Sequence, residues 1–400
     1  MKHLGVKTNW QDQELELTIE KVAHGGVFVA RHESRVVFVS GAIPGEKVRA
    51  KVFEDKGGSF ARAVVTEVLE PSPDRVKHFW KNAANAGGAE FGHISLSRQR
   101  SLKSEVLVEG LARFAGVELE VPVIGIDDDE TGLGYRTRVQ LHVNEFGDAG
   151  PYMERSHEVV RVKTLPLAVA EIQELGIHLK NWQQVKKIHV AASNTGGLQW
   201  MVDNKVKGDQ QLIETALGRS YRLSPGAFWQ VHKNAANTLA SEVLTMIQTV
   251  GFKDSADNLD LYGGAGVFAG SLATVFGDDL NLTLVEASPV SASDAKRNLA
   301  DLKNVKVIAT GTEAFLRKTA SLKPESTVII DPPRSGAGRE VVEQLVRLEA
   351  RHVVYVACDP ISLSRDLKDF LAAGYEIQAI KAFDLFPHTH HFETVVSLVR

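Results

Sequence analysis

The 400-residue sequence predicts an α/β protein in three parts: a small N-terminal OB-like β-barrel, a central α+β region, and a C-terminal Rossmann-like domain built on a seven-stranded sheet. Three observations carry this expectation. Residues 12–70 break into short β-branched runs separated by glycine turns. From about residue 226 the pattern alternates strictly between apolar strands and amphipathic helices, which implies a mainly parallel sheet covered on both faces. The loop between the last two strands is too short for a helix, so that pair must run antiparallel.

Taken in order, the N-terminal runs are 22–30, 36–39, 48–53 and 61–68, punctuated by Gly25-Gly26, Gly41 to Gly45 and Gly57-Gly58. Five or so short strands with such turns suit a small closed barrel over residues 1–72, ended by the Pro71-Ser72-Pro73 step. In the central part, 73–225, Ile94, Leu102, Val106 and Leu107 give one apolar stripe and predict a helix over 95–114. An acidic turn, Asp127-Asp128-Asp129-Glu130, then precedes a β-rich segment opened by Gly134-Tyr135-Arg136-Thr137-Arg138. In the third part, 226–400, strands are expected at 258–262, 281–286, 305–310, 327–331, 352–357, 375–383 and 392–399, with helices such as 266–276, 338–348 and 361–372 between them.

Composition narrows the function classes. With 44% hydrophobic and 24% charged residues the chain is that of a soluble globular protein, with no apolar run near the ~18 residues of a membrane helix. The start, Met1 to Lys7, lacks the pattern of a signal peptide, and one cysteine excludes internal disulfides and cysteine-built metal sites, so a cytoplasmic protein is expected. Forty-six Lys and Arg against 50 Asp and Glu leave a net charge of −4, which argues mildly against a nucleic-acid partner without excluding a local basic patch.

The chemistry-bearing motifs sit at the carboxyl ends of the C-terminal strands, where open α/β sheets bind ligands. Gly264, Gly266 and Ala269 follow the first strand as G-x-G-x-x-A, and Glu286 ends the second, placed to take both hydroxyls of a ribose. These features suit NAD and S-adenosylmethionine alike. The fourth strand ends in Asp331-Pro332-Pro333-Arg334, a stiff wall of the kind common in methyltransferases that act on nucleobases, and this favours S-adenosylmethionine. The sole cysteine, Cys358, ends the fifth strand beside that wall; a helix opening near Ile361 would place its positive end near the sulfur and favour thiolate. A nucleophile there could attack C6 of a pyrimidine and so activate C5, and Glu393, at the start of an otherwise apolar last strand, is the candidate base for the C5 proton. His390 and His391 have no companion ligands at metal spacing, and no metal site is expected.

The ordered set Phe228-Trp229-Gln230-Val231, Asp260-Leu261-Tyr262, Asp331-Pro332-Pro333-Arg334, Cys358-Asp359-Pro360 and Phe386 to Glu393 resembles the TRAM-bearing RNA uracil-C5 methyltransferases, which make 5-methyluridine in tRNA or ribosomal RNA. The resemblance spans nearly the whole chain. It implies a class I methyltransferase domain in which Gln230, Tyr262, Glu286 and Asp331 contact S-adenosylmethionine, Cys358 is the nucleophile and Glu393 the base. The barrel and central region would hold RNA, either tRNA or large-subunit rRNA, with Arg136 and Arg138 among the basic contacts; a monomer is expected. Three departures stand out. Gly263 replaces a frequent Cys, and Ala-Cys-Asp-Pro replaces Ser-Cys-Asn-Pro, so that Asp359 would repel a thiolate. The positions of an iron–sulfur cluster's ligands hold Trp80, Ala86, Ala89 and Leu165, so no cluster is expected. The competing readings are an RNA-binding or RNA-folding protein without turnover, which Asp359 supports, and a nicotinamide oxidoreductase, which the Asp-Pro-Pro wall disfavours.

Overall fold

The structure, a computed structural model, describes residues 9–81, 83, 85–126, 130–154, 156–277 and 279–400; Asp127, Asp128 and Asp129 of the acidic turn and the N-terminal residues 1–8 lie outside these. Strands β1 (Glu14–Ala23), β2 (Val27–His32), β3 (Arg35–Ser40), β4 (Lys47–Glu54) and β5 (Phe60–Glu70) close into a barrel in the order β1-β2-β3-β5-β4, with β1 pairing back onto β4. Alternation sends Leu15, Leu17, Val48, Ala50 and Val52 inward, and the small side chains Ala61 and Ala63 let so narrow a barrel fill without strain.

Helix α1 (Leu96–Gly110) follows the barrel, and the expected extension to 114 is present as a π-helical turn, Leu111–Ala115, stopped by Gly116 in the left-handed region. The apolar stripe is only part of its inward face, because Gln99 and Lys103 are buried with it. Lys103 Nζ lies 2.5 Å from Asp384 Oδ1 and donates to the Phe386 carbonyl at 3.1 Å. Gln99 donates to the Phe91 and Ile94 carbonyls and accepts the His388 N–H at 2.7 Å. Helix α1 thus fastens the loop that leads into the last strand of the chain.

The short strand β6 (Val123–Gly125) comes next, then β7 (Arg138–Val143), β8 (Ala149–Gly150), helix α2 (Ala170–Glu174), β9 (Lys187–Ala192), β10 (Leu198–Val202) and β11 (Lys205–Gly208). Strands β7 to β11 form an antiparallel sheet in the order β11-β10-β9-β7-β8. A hairpin of β12 (Leu212–Ala216) and β13 (Arg219–Leu223) packs its Leu212, Tyr221 and Leu223 with Trp229 and Ala265 of the C-terminal layer.

The C-terminal layer runs α3 (Ala235–Val250), β14 (Asn258–Leu261), α4 (Val267–Phe276), β15 (Leu282–Glu286), α5 (Pro289–Asn298), β16 (Val305–Ala309), α6 (Thr312–Lys318), β17 (Thr327–Ile330), α7 (Gly338–Arg347), β18 (His352–Ala357), α8 (Pro360–Ala372), β19 (Glu376–Asp384) and β20 (Glu393–Val399). All seven expected strands are present, the last two antiparallel, in the order β16-β15-β14-β17-β18-β20-β19. An eighth strand extends the sheet beyond the expected seven: β6 pairs parallel to β19 through Val123 and Ala382. Alternation along β17 sends Val328 and Ile330 into the core under α7 and α8, and Ile329 into the core under α3 and α4. Among the described residues no helix is long and apolar enough to cross a membrane.

The Lys103–Asp384 pair is fully buried, and burial, opposed by Asp384, pulls the Lys103 ammonium below its usual range. Replacing Lys103 by Ala leaves Asp384 with only the more distant Arg100 at 3.3 Å. The expected loss is about 3 kcal/mol in denaturant unfolding, while exchange of both partners for apolar residues of similar volume is expected to recover most of it. An unchanged Lys103→Ala midpoint would remove the pair from the fold's essential contacts.

Candidate active site

The sheet register assembles the site. Leu261 pairs with Val285 on one side and Ile330 on the other, so the next residues, Tyr262, Glu286 and Asp331, stand level at the carboxyl edge. Strand β18 pairs antiparallel with β20 from His352–Val399 to Ala357–Thr394, so Cys358 directly follows the last pair on one strand and Glu393 directly precedes it on the other. Edge and ladder open into one cavity of about 740 Å³. Of the eight residues expected in the site, Gln230, Tyr262, Gly264, Glu286, Asp331, Cys358 and Glu393 line this cavity. Gly266 does not. It caps α4 at φ 95°, where a Cβ would meet Leu299 at 2.9 Å, so its part is to let the turn close on the α5 end.

The cofactor end can be tested on the residues present. Glu286 accepts the Gly264 N–H at 2.9 Å and the Ser288 N–H at 2.6 Å, which aims its carboxylate along the cavity rim. Below the glycine turn Asp260 is buried, accepts the Ala269 N–H at 3.1 Å and leaves its second oxygen without a partner; burial pushes its carboxyl up to about 8. Phe228, 63% exposed, lines the cavity together with Gln230. An aromatic face, a glycine turn and a rim carboxylate fit a nucleoside whose ribose faces Glu286.

At the other end the electrostatics differ from the sequence expectation. Burial pushes the Cys358 thiol up to about 12, with Glu393 and Asp331 adding to the effect. The helix end expected to favour thiolate is already occupied: Asp359 caps α8, accepting the Ile361 N–H at 3.1 Å and the Ser362 N–H at 2.8 Å. Burial alone would raise Asp359, but a 2.7 Å bond from His24 Nε2 and the Ser362 N–H hold its carboxyl at about 2. Burial, with Asp331 nearby, raises Glu393 well above the ordinary carboxylate range, and burial raises Asp331 to about 7. Arg334, exposed on the Asp-Pro-Pro wall, is the cation that opposes this for both Cys358 and Glu393, a part the sequence reading did not give it. Burial also pushes the His391 imidazole down to about 2, so it lines the cavity as a neutral ring.

Of the two arginines expected at the RNA, Arg136 lines the cavity and has no carboxylate partner among the described residues. Arg138 is committed elsewhere: it bonds Glu214 at 2.6 Å, the Thr137 hydroxyl and the Ala192 carbonyl. Trp80, Ala86, Ala89 and Leu165, which stand where relatives hold a cluster, are buried together in one apolar cluster with Leu141 and Val162. These residues offer no thiolate to iron and do not fit such a group.

Comparison with known proteins gives the family and the fold. The family described as tRNA (uracil-5-)-methyltransferase matches residues 171–400, and the TRAM domain family matches residues 11–66, the span of most of the barrel. An uncharacterized RNA methyltransferase of Streptomyces avermitilis is 37% identical over 96% of this chain and 98% of its own. Another from Bifidobacterium longum is 32% identical over 97% of each. The crystal structure of Pyrococcus abyssi tRNA (uracil-54, C5)-methyltransferase in complex with S-adenosyl-L-homocysteine superposes with a TM-score of 0.73 at 21% identity, over 96% of this chain and 99% of that one, and shares its fold. The chain belongs to the tRNA (uracil-5-)-methyltransferase family, as an RNA methyltransferase that uses S-adenosylmethionine and carries a TRAM domain.

Proposed function

We propose that the protein methylates C5 of a uridine in tRNA or large-subunit rRNA through a covalent bond between Cys358 and C6. The observation that supports this most is that the one thiol of the chain, Cys358, and the buried carboxyl of Glu393 flank the last pair of the β18–β20 ladder and line one cavity. Gln230, Tyr262, Glu286 and Asp331, with Gly264 at the turn, would hold S-adenosylmethionine, which supplies the methyl group. A uridine within a folded loop must first leave its stack, at a cost of a few kcal/mol. Attack by the Cys358 sulfur on C6 needs the thiolate, so the thiol proton passes to solvent water and, as the S–C6 bond forms, the C5–C6 π electrons move onto C5 and O4 of the ring. With the methyl group on C5, Glu393 in its ionised form takes the C5 proton, the C5–C6 double bond reforms, and the sulfur leaves with its electron pair.

The two residues therefore fail at different steps. Cys358→Ala is expected to bind RNA without methylating it, and Glu393→Gln to accumulate a methylated protein–RNA complex that migrates slowly in a denaturing gel. Methylation by Cys358→Ala would exclude the covalent route, and normal turnover by Glu393→Gln would exclude Glu393 as the base. Nucleoside mass spectrometry of tRNA and rRNA from a deletion strain is expected to show one missing 5-methyluridine and so identify the RNA; an unchanged nucleoside profile would favour the reading without turnover.

Because the chain has a single cysteine, its thiol can be titrated directly. With the thiol raised to about 12, roughly one site in ten thousand is thiolate at pH 8. Iodoacetamide alkylation of the RNA-free enzyme should be slow there and climb about tenfold per pH unit to above pH 10. A rate at pH 8 like that of free cysteine would contradict the burial. Replacing Glu286 by Ala should weaken binding of S-adenosylhomocysteine by about tenfold or more, since each charge-assisted bond to a ribose hydroxyl is worth ~1.5–3 kcal/mol. Unchanged affinity in calorimetry would remove Glu286 from the ribose site.

A further inference from the structure

The turn between β1 and β2 reaches out of the barrel and into the C-terminal layer. It is made of His24, Gly25 and Gly26, with both glycines in the left-handed region. Its approach is close: a Cβ on Gly26 would stand 3.0 Å from His390 Nδ1. The tip lines a small cavity shared with Cys358 and Asp359 on one side and with His390 and His391, just ahead of Glu393, on the other. One barrel turn therefore touches both the loop that carries the thiol and the loop that carries the carboxyl.

The contact has a specific chemistry. Asp359 stands directly after Cys358, and its two oxygens are divided between two tasks: Oδ1 accepts both N–H groups of the α8 cap, and Oδ2 faces His24 Nε2 at 2.7 Å. A ring nitrogen against an ionised carboxylate must carry the proton, so His24 is the donor. The Asp359 charge opposes thiolate formation at the adjacent Cys358, and the His24 bond fixes where one of its two oxygens stands. The partners are 335 residues apart, so the bond is purely a product of how the barrel docks.

We infer that His24 is a positioning residue for the methyl-transfer site: from the barrel it holds the Asp359 carboxylate, and through it the Cys358 loop, in the arrangement that attack on the uracil requires. This rests on the reading of Cys358 as the nucleophile. His24 makes an aspartate workable next to the thiol.

The test uses the full chain and total RNA from a strain deleted for its gene, with methyl incorporation measured against RNA concentration. His24→Ala is expected to lower kcat by about tenfold, the size of one charge-assisted hydrogen bond, with KM for RNA and the affinity for S-adenosylhomocysteine changed by less than about threefold. His24→Gln, which still donates, should retain most of the rate. In an Asp359→Asn background the cost of His24→Ala should shrink to less than about threefold, because the carboxylate that His24 serves is gone. Wild-type turnover by His24→Ala, or an equal loss with Asp and with Asn at 359, overturns the inference. Cys358→Ala, run alongside, separates the two claims: if it still methylates, the nucleophile reading has failed, and if it is dead while His24→Ala is unaffected, only the part assigned to His24 has failed.

Discussion

The antiparallel register between β18 and β20 is the constraint on which the site depends. Side chains of a strand alternate between faces, so a slip of one residue at the Ala357–Thr394 end would turn Glu393 to the other face, away from Cys358. The register is fixed because both faces of this sheet are buried: Val354, Val356 and Val395 pack under α3 and α4, while Val353, Tyr355 and Val396 pack under α7 and α8. Parallel pairing of β14 with β15 and β17 does the same for Tyr262, Glu286 and Asp331. A core that exists to bury apolar surface thus delivers the polar groups to one edge.

Loops at that edge are then tied down by polar contacts rather than by packing alone. Lys103 and Gln99 of α1 hold the segment between β19 and β20 through Asp384, the Phe386 carbonyl and His388. His24 of the barrel holds Asp359, and Asp359 holds the start of α8. The N-terminal half of the chain therefore braces both loops that carry the proposed chemistry. Burial raises Cys358, Asp331 and Glu393 alike, and the Arg334 charge opposes it for Cys358 and Glu393.

Much of this was legible in the sequence, for physical reasons. Alternating β-branched runs with glycine turns betrayed the barrel, and the strand–helix alternation betrayed the sheet, because in both the burial pattern repeats over many residues. Tyr262, Glu286, Asp331 and Cys358 were legible as candidates because each ends or directly follows a strand, and strand ends in such a sheet meet at one edge. What escaped lacks a repeating signal. Strand β6 has three residues and no period to read. The burial of Lys103 contradicts its composition and is explained only by Asp384, 281 residues away. The helix-dipole argument for the Cys358 thiolate missed the burial that raises the thiol, and that the neighbouring Asp359 takes the N–H groups of that helix; Arg138 was expected at RNA because its bond to Glu214 has no sequence signature.

The most direct measurement exploits the step that a fluorine atom blocks. When C5 of the uracil carries fluorine, no proton can be taken from it after methyl transfer, so the bond between sulfur and C6 should persist. RNA isolated from cells grown with 5-fluorouracil, incubated with the enzyme and S-adenosylmethionine and then digested, is predicted to yield one peptide of this chain bearing a methylated fluorouridine nucleotide on Cys358. An adduct on any other residue, or none while ordinary RNA is methylated at C5, would contradict the covalent mechanism.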